Sequence, residues 1–317
     1  MSNKYFNIYP FCKIVSGKDS HIICDLQKQN IKFIPFSLVE VINLLEKEEF
    51  KTVEEQFEEQ KGVFNSYINF LIKEDLGFFS DYKTPFIPIP EDYLTPDNIN
   101  NAAIEIAGLE NLENLFLQLD DLHCQFIELK VISTIDLEQL ANKLEIIEKL
   151  QLRSLQLFIP FEKEMATSKI VKLFKKVKKA VTIAVYNCPK DWQLKGNFQV
   201  KYLKKSLEEI QKGNSTEKDL IINLSYYFLA KKYNPYYYKK IAINSKGEIK
   251  NCLKNKRSFG TIQDFKLAEV IEKSDFQELW FVNHDCIVDI KDSPLRYNRI
   301  LTNDLKKVEE NLYELVD

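Results

Sequence analysis

A length of 317 residues exceeds what one hydrophobic core usually fills, so two or three units of roughly 80–150 residues are expected. With 45% hydrophobic and 29% charged residues and only 8 Gly and 10 Pro, the composition excludes a disordered, fibrous or low-complexity chain. A net charge of −3 supplies no global field for nucleic acid, and neither a signal-like N-terminus nor a run of 18 apolar residues occurs. The expectation is therefore a cytoplasmic protein without nucleic-acid or membrane partners.

In chain order, residues 5–15, 21–26 and 31–36 read as three strands, separated by a Ser16–Ser20 turn and a Lys28–Asn30 turn. From Ser37, a suitable N-cap, the spacing becomes helical, with Leu38, Val41, Ile42 and Leu45 on one face. Thr52 and Glu55 stand at capping-box spacing for a second helix, and a third runs from about 63 to 75, ended by Gly77. Three strands and then three helices predict a winged-helix-like module over residues 1–82, followed by a Pro-rich linker at 84–96.

From about residue 100 the two periodicities alternate. Strands are predicted at 102–108, 125–132, 154–161 and 181–188, with helices at 111–123, 136–150 and 166–180 between them. A helix at 206–213 and a strand at 219–228 follow. This pattern predicts an α/β fold with parallel βαβ units, a partial β/α barrel over 98–232. No Gly-rich phosphate loop follows any of these strands, so neither a dinucleotide site nor a P-loop is expected. Residues 237–251 form a hairpin around Ser245-Lys246-Gly247, opening a small third domain over 233–317 whose tail, 301–317, reads as an amphipathic C-terminal helix.

The six cysteines, Cys12, Cys24, Cys124, Cys188, Cys252 and Cys286, show no CxxC or CxxxCxxC spacing and read as buried, reduced thiols. His21, His123 and His284 are too separated to suggest a metal site. The lysines of 169–179 read as the solvated face of a helix, with an acidic peptide or partner surface as the functional alternative.

The series Lys240–Cys252, Phe259–Ile262, a helix ending at Leu279-Trp280, and Lys291–Arg299 resembles, in order and spacing, the SPASM domain of peptide-modifying radical-SAM enzymes. It is most similar to the maturases of grasp-with-spasm systems for ribosomally synthesised, graspetide-like peptides (RiPPs). Residues 11–27, 34–42 and 119–129 carry the same likeness. The resemblance implies a radical-SAM-like barrel, a precursor (leader) peptide as partner, and an ATP-grasp peptide ligase as the second partner. It also implies cysteine-bound clusters, and there this sequence departs from the pattern. Tyr236, Ile290, Ser293 and Arg299 stand at ligand places, Cys252 is kept, Cys286 is out of register, and no CxxxCxxC loop follows the first barrel strand. The expected reading is a pseudoenzyme with no catalytic residues, no metal and no cofactor. Two alternatives are a peptide-modifying enzyme with a repurposed barrel site and a maturase that retains an unusual iron–sulfur cluster.

The N-terminal module is similar to the recognition element (RRE) that holds leader peptides in such systems by β-augmentation. The expected binding residues are Lys32, Phe33, Ile34 and Phe36 on the edge strand and Phe64, Tyr67, Ile68 and Leu71 on the third helix. The competing reading places these apolar side chains in the module's own core.

Overall fold

The computed structural model describes residues 4–92, 95–163, 166–195, 199–212 and 219–316. Parts of the predicted 84–96 linker, of the helix at 206–213 and of the 301–317 tail lie outside these residues. The chain opens with β1 (Tyr5–Ile8), β2 (Cys12–Ser16), β3 (His21–Asp25) and β4 (Asn30–Ile34). Helices α1 (Phe36–Leu45), α2 (Phe50–Gln56) and α3 (Lys61–Lys73) follow, and then β5 (Gly77–Ser80). The first predicted strand is thus two. Pro10, which cannot donate to a ladder, sits in the turn between them, and β1 pairs antiparallel with β5 while β2, β3 and β4 form their own sheet.

Alternation gives the three-stranded sheet two buried faces. Cys12, Ile23 and Ile34 pack with Leu38, Ile42, Phe64, Ile68 and Leu71 of α1 and α3. Val15, Ile22 and Cys24, on the opposite face, meet Tyr227, Phe228 and Tyr297 from the rest of the chain.

The body is one sheet of eight strands: β6 (Asn101–Ile106), β7 (Phe126–Val131), β8 (Ser154–Pro160), β9 (Ala180–Tyr186), β10 (Trp192–Lys195), β11 (Gln199–Tyr202), β12 (Lys240–Ile243) and β13 (Ile249–Lys250). Their spatial order is β10-β11-β9-β8-β7-β6-β12-β13, and all neighbours are parallel except the outermost pair at each end. Helices α4 (Leu112–Asp121), α5 (Leu137–Leu144) and α6 (Thr167–Phe174) connect β6 to β9. Because consecutive strands are neighbours and such crossovers are right-handed, the three helices cover the same face. Leu115, Leu119, Leu140, Leu144, Ile170 and Phe174 join Ile104, Leu129, Leu157 and Ile183 in one core. The opposite face is different: at the alternate positions stand Glu105, Glu128, Lys130, Gln156 and Lys240. A sheet wound with helices on both sides would be apolar on both.

The last third differs from the sequence expectation in three places. The second half of the predicted strand at 219–228 is helix: after α7 (Leu207–Lys212), α8 runs over Leu224–Lys232. The Asn223 side chain accepts the Tyr226 N–H at 2.8 Å and caps it. The hairpin at 237–251 does not stand in a domain of its own, because β12 pairs in parallel with β6, Ala242 opposite Ala103. Beyond α9 (Leu267–Ile271) and α10 (Ser274–Gln277), the tail is no helix but a hairpin, β14 (Asp304–Glu309) with β15 (Leu312–Val316). Asn311, at φ 59°, makes its turn, and Leu305, Tyr313 and Leu315 pack on Val282, Ile287 and Ile290.

The segment 284–299 is tied to the β2–β3 turn. The Lys18 N–H donates to the Asp292 carbonyl at 2.9 Å, and Arg296 Nη1 donates to the Ser16 carbonyl at 3.0 Å while its Nε holds Asp285 at 2.7 Å. Gly17 permits this approach: a Cβ there would lie 2.5 Å from the Asp292 oxygen.

Candidate functional site

Strand β4 is an open edge. It pairs with β3 on one side, His21 opposite Ile34 and Cys24 opposite Ile31, and with no strand on the other among the described residues. Phe33 on the strand and Phe36, which opens α1 rather than extending the strand as expected, are 64% and 57% exposed, although aromatic side chains are ordinarily covered. The Phe36 ring leans on His21 at 5.3 Å. Lys32 reaches across to Glu74 at the end of α3, 2.7 Å away, and holds that carboxyl below its ordinary pKa. Tyr67 of α3 shares a 2.6 Å hydrogen bond with Ser37.

The eight residues singled out from the sequence therefore divide. Lys32, Phe33, Phe36 and Tyr67 lie along or beside the edge with surface to offer. Ile34, Phe64, Ile68 and Leu71 are at most 6% exposed and form the module's core. Helical periodicity marked the α3 stripe correctly as apolar, and the structure turns that stripe inward.

A second candidate lies on the face of the central sheet opposite α4–α6, beside α7. It is a cavity of ≈ 160 Å³ bordered by Glu128, Lys130, Tyr236, Lys240, Cys252 and Lys254. Lys130 is buried beside Glu128, 3.0 Å from its carboxylate. Gln211 of α7 donates to Glu105 at 3.1 Å. Tyr236 and Cys252, two of the ligand places named above, come together here: phenol oxygen and thiol sulfur are 3.0 Å apart. Burial, reinforced by Cys252, pushes the Tyr236 phenol well above its ordinary pKa, so it is neutral. The other places do not converge into a cluster site. Ile290 packs in an apolar core, and Ser293 caps a turn through the Leu295 N–H. A phenol, an alkyl group, a hydroxyl and a guanidinium are not cluster ligands, so the residues present do not fit an iron–sulfur cluster.

These cavity residues were partly legible in the sequence. In 126–131 the charges of Glu128 and Lys130 alternate with Ile127, Leu129 and Val131, the mark of a strand with one polar face. The role of Lys240 was not, since its neighbours come from distant segments.

A larger cavity of ≈ 470 Å³, bordered by Tyr226, Phe228, Tyr233, Pro235 and Tyr238, lies at the N-terminal ends of β6 and β12. Its charges are mutually compensated, Lys239 with Asp97 and Lys232 with Asp92.

Five of the six thiols are buried, and Cys286 is half-buried. Desolvation pushes Cys12 and Cys124 up to about 12 and Cys24 to about 11, which keeps them protonated and unreactive at neutral pH. Among the described residues no three His, Cys, Asp or Glu side chains gather where they could hold a metal ion. No helix of the described residues is long and apolar enough to cross a membrane.

No family model matches the sequence, and no curated protein does. Among solved structures the chain is distantly similar to Streptococcus suis SuiB bound to precursor peptide SuiA. The identity is 10% and the TM-score 0.24, over 86% of this chain and 90% of that one, and a likeness at this level carries no argument about function.

Proposed function

We propose that this chain is a maturation factor for a ribosomally synthesised peptide: it binds the precursor's leader on its N-terminal module and supports an ATP-grasp ligase, without radical-SAM chemistry of its own. The observation that carries the reading is the unpaired β4 edge with Phe33 and Phe36 exposed beside it. A leader adding as a strand would satisfy the edge's free backbone groups, and its alternate side chains would cover the two rings. In this reading residues 1–82 are a winged-helix-like recognition module, the sheet and its helices are a radical-SAM-like scaffold, and the segment from 233 is a SPASM-like region that has lost its clusters. The resemblance of Lys240–Cys252 and Lys291–Arg299 to that domain supports it. The test is binding of a precursor peptide of the grasp-with-spasm type to the full chain, read together with amide hydrogen exchange. Micromolar or tighter binding that slows exchange at 30–34 is expected. Binding that leaves those amides unchanged would move the peptide site elsewhere, and no binding would remove the reading.

One observation favours a second reading, a peptide-modifying enzyme with a repurposed site. It is the cavity with Lys130, Lys240, Tyr236 and Cys252 on the polar face of the sheet. Turnover of the precursor by the isolated chain would distinguish the two.

A further inference from the structure

Lys240, the first residue of β12, is a largely enclosed amine without a bonded partner among the described residues. Its Nζ lies 3.6 Å from the centroid of the Tyr236 ring and makes no hydrogen bond or ion pair with any of the described residues. The Glu128 carboxylate favours its charged form through space but makes no ion pair with it. Glu128 is engaged by Lys130 at 3.0 Å, Glu105 accepts from Gln211, and Lys254 brings a further positive charge to the rim. The cavity therefore encloses excess positive charge at the surface of a sheet.

Buried charges are ordinarily paired, because removing an ion from water costs far more than one ring face returns. An amine that opens into a cavity and has no bonded partner among the described residues is placed to meet a ligand there. The volume sets the scale of that ligand. At ≈ 160 Å³ the cavity is smaller than the ~300–1,000 Å³ of sites that enclose whole drug-sized ligands, so it takes a head group and leaves the rest of the ligand outside.

We propose that this cavity is a binding site for a small oxyanion, the carboxylate or phosphate group of a ligand, held between Lys240 and Lys254 with the Lys130–Glu128 pair as its wall. The Tyr236 ring under Lys240 and the Tyr236–Cys252 hydrogen bond fix the ammonium's position, so the site is organised before the anion arrives. Burial lowers the Lys240 pKa, and a bound anion reverses that effect by favouring the charged form. The site is independent of leader docking on β4.

The experiment is calorimetric titration of the full chain with inorganic phosphate and, separately, with glutarate, at constant ionic strength. Saturable one-to-one binding of at least one anion is expected, weakened at least tenfold by Lys240→Met and several-fold by Lys254→Met. Lys176→Met, on the far layer, should leave it unchanged. Binding of phosphate alone assigns the site to a phosphate-bearing ligand, and binding of glutarate alone to a carboxylate such as an acidic peptide side chain. Should Lys240→Met fail to fold, the wild-type chain still decides: saturating anion should slow trinitrobenzenesulfonate labelling of Lys240, read by mass spectrometry, at least fivefold. No saturable binding of either anion, binding unaffected by Lys240→Met, or no protection of Lys240 overturns the proposal.

Discussion

Replacing Phe33 by aspartate tests the edge-strand reading because the side chain contributes little to the free protein and much to the proposed complex. Phe33 is 64% exposed. An enclosed aromatic side chain buries about 150–250 Å², so a docked strand that covers the exposed part removes about 100–160 Å² from water. At about 25 cal/mol per Å² this is worth about 2.5–4 kcal/mol, or roughly 70- to 800-fold in Kd. In the free chain the same substitution should change stability by about 0.5 kcal/mol or less, as expected of a surface position. The assay is fluorescence anisotropy of labelled leader peptide with the full chain, beside a urea melt of each variant. Phe64→Ala is the converse control. Phe64 is 1% exposed in the module's core, so its loss should cost about 3–5 kcal/mol of stability through a cavity, while molecules that remain folded keep their affinity. A Phe33→Asp protein that melts like wild type and binds leader equally well would refute the reasoning.

His284 is buried, its Nδ1–H donating to the Arg296 carbonyl and its Nε2 without a partner, and desolvation lowers its pKa below 6.5. Below about pH 6.5 the unfolded chain takes up a proton there that the folded chain refuses until its own lower pKa is reached. Stability should fall with pH in that window, by at most about 1.4 kcal/mol per pH unit for this one proton. His284→Gln should show a shallower loss than wild type in denaturant melts at pH 7.5 and 5.5; equal slopes would contradict the assignment. Gly17→Ala places a Cβ 2.5 Å from the Asp292 oxygen and 2.6 Å from Pro294 Cδ, so it should cost about 1–3 kcal/mol and open the 284–299 segment to proteolysis. Among the thiols, Cys286 alone is not buried, so Ellman's reagent should modify one thiol quickly in the native protein and the others on unfolding. Cys286→Ser should remove the fast phase, and its persistence would place another thiol at the surface.

The parts of this fold that were legible are those decided by local pattern. Alternation put Ile104, Leu129, Leu157 and Ile183 on one face of β6–β9, and helical spacing gave α4–α6 the matching stripe. Where two patterns fit the same residues, a single backbone position decided. At 219–228 the run of Leu, Ile and aromatic residues suits a strand, yet the Asn223 side chain caps a helix. In the tail, Leu305, Leu312 and Leu315 suit either period, and left-handed Asn311 breaks the helix into a hairpin. The pairing of β12 with β6 is non-local and has no local signature at all. The same limit applied to the site: periodicity shows that Phe64, Ile68 and Leu71 share a face, and only packing shows that this face is the core.

Tyr236 and Cys252 are where sequence resemblance and structure bear on each other most closely. The resemblance implies thiolates at both places, and a thiolate pair would bring negative charge and a soft metal ion to this end of the sheet. The chain supplies a phenol, and burial keeps it protonated. The phenol fills space, bonds the remaining thiol and turns its ring face toward Lys240. It does not return the charge. The cavity consequently carries the lysines without an anionic cluster to balance them. A chain selected only for a stable scaffold would gain by replacing Lys240 with an apolar residue, since a half-buried amine without a bonded partner costs desolvation that nothing among the described residues returns. Its presence beside a cavity of head-group size is what the proposed anion site accounts for.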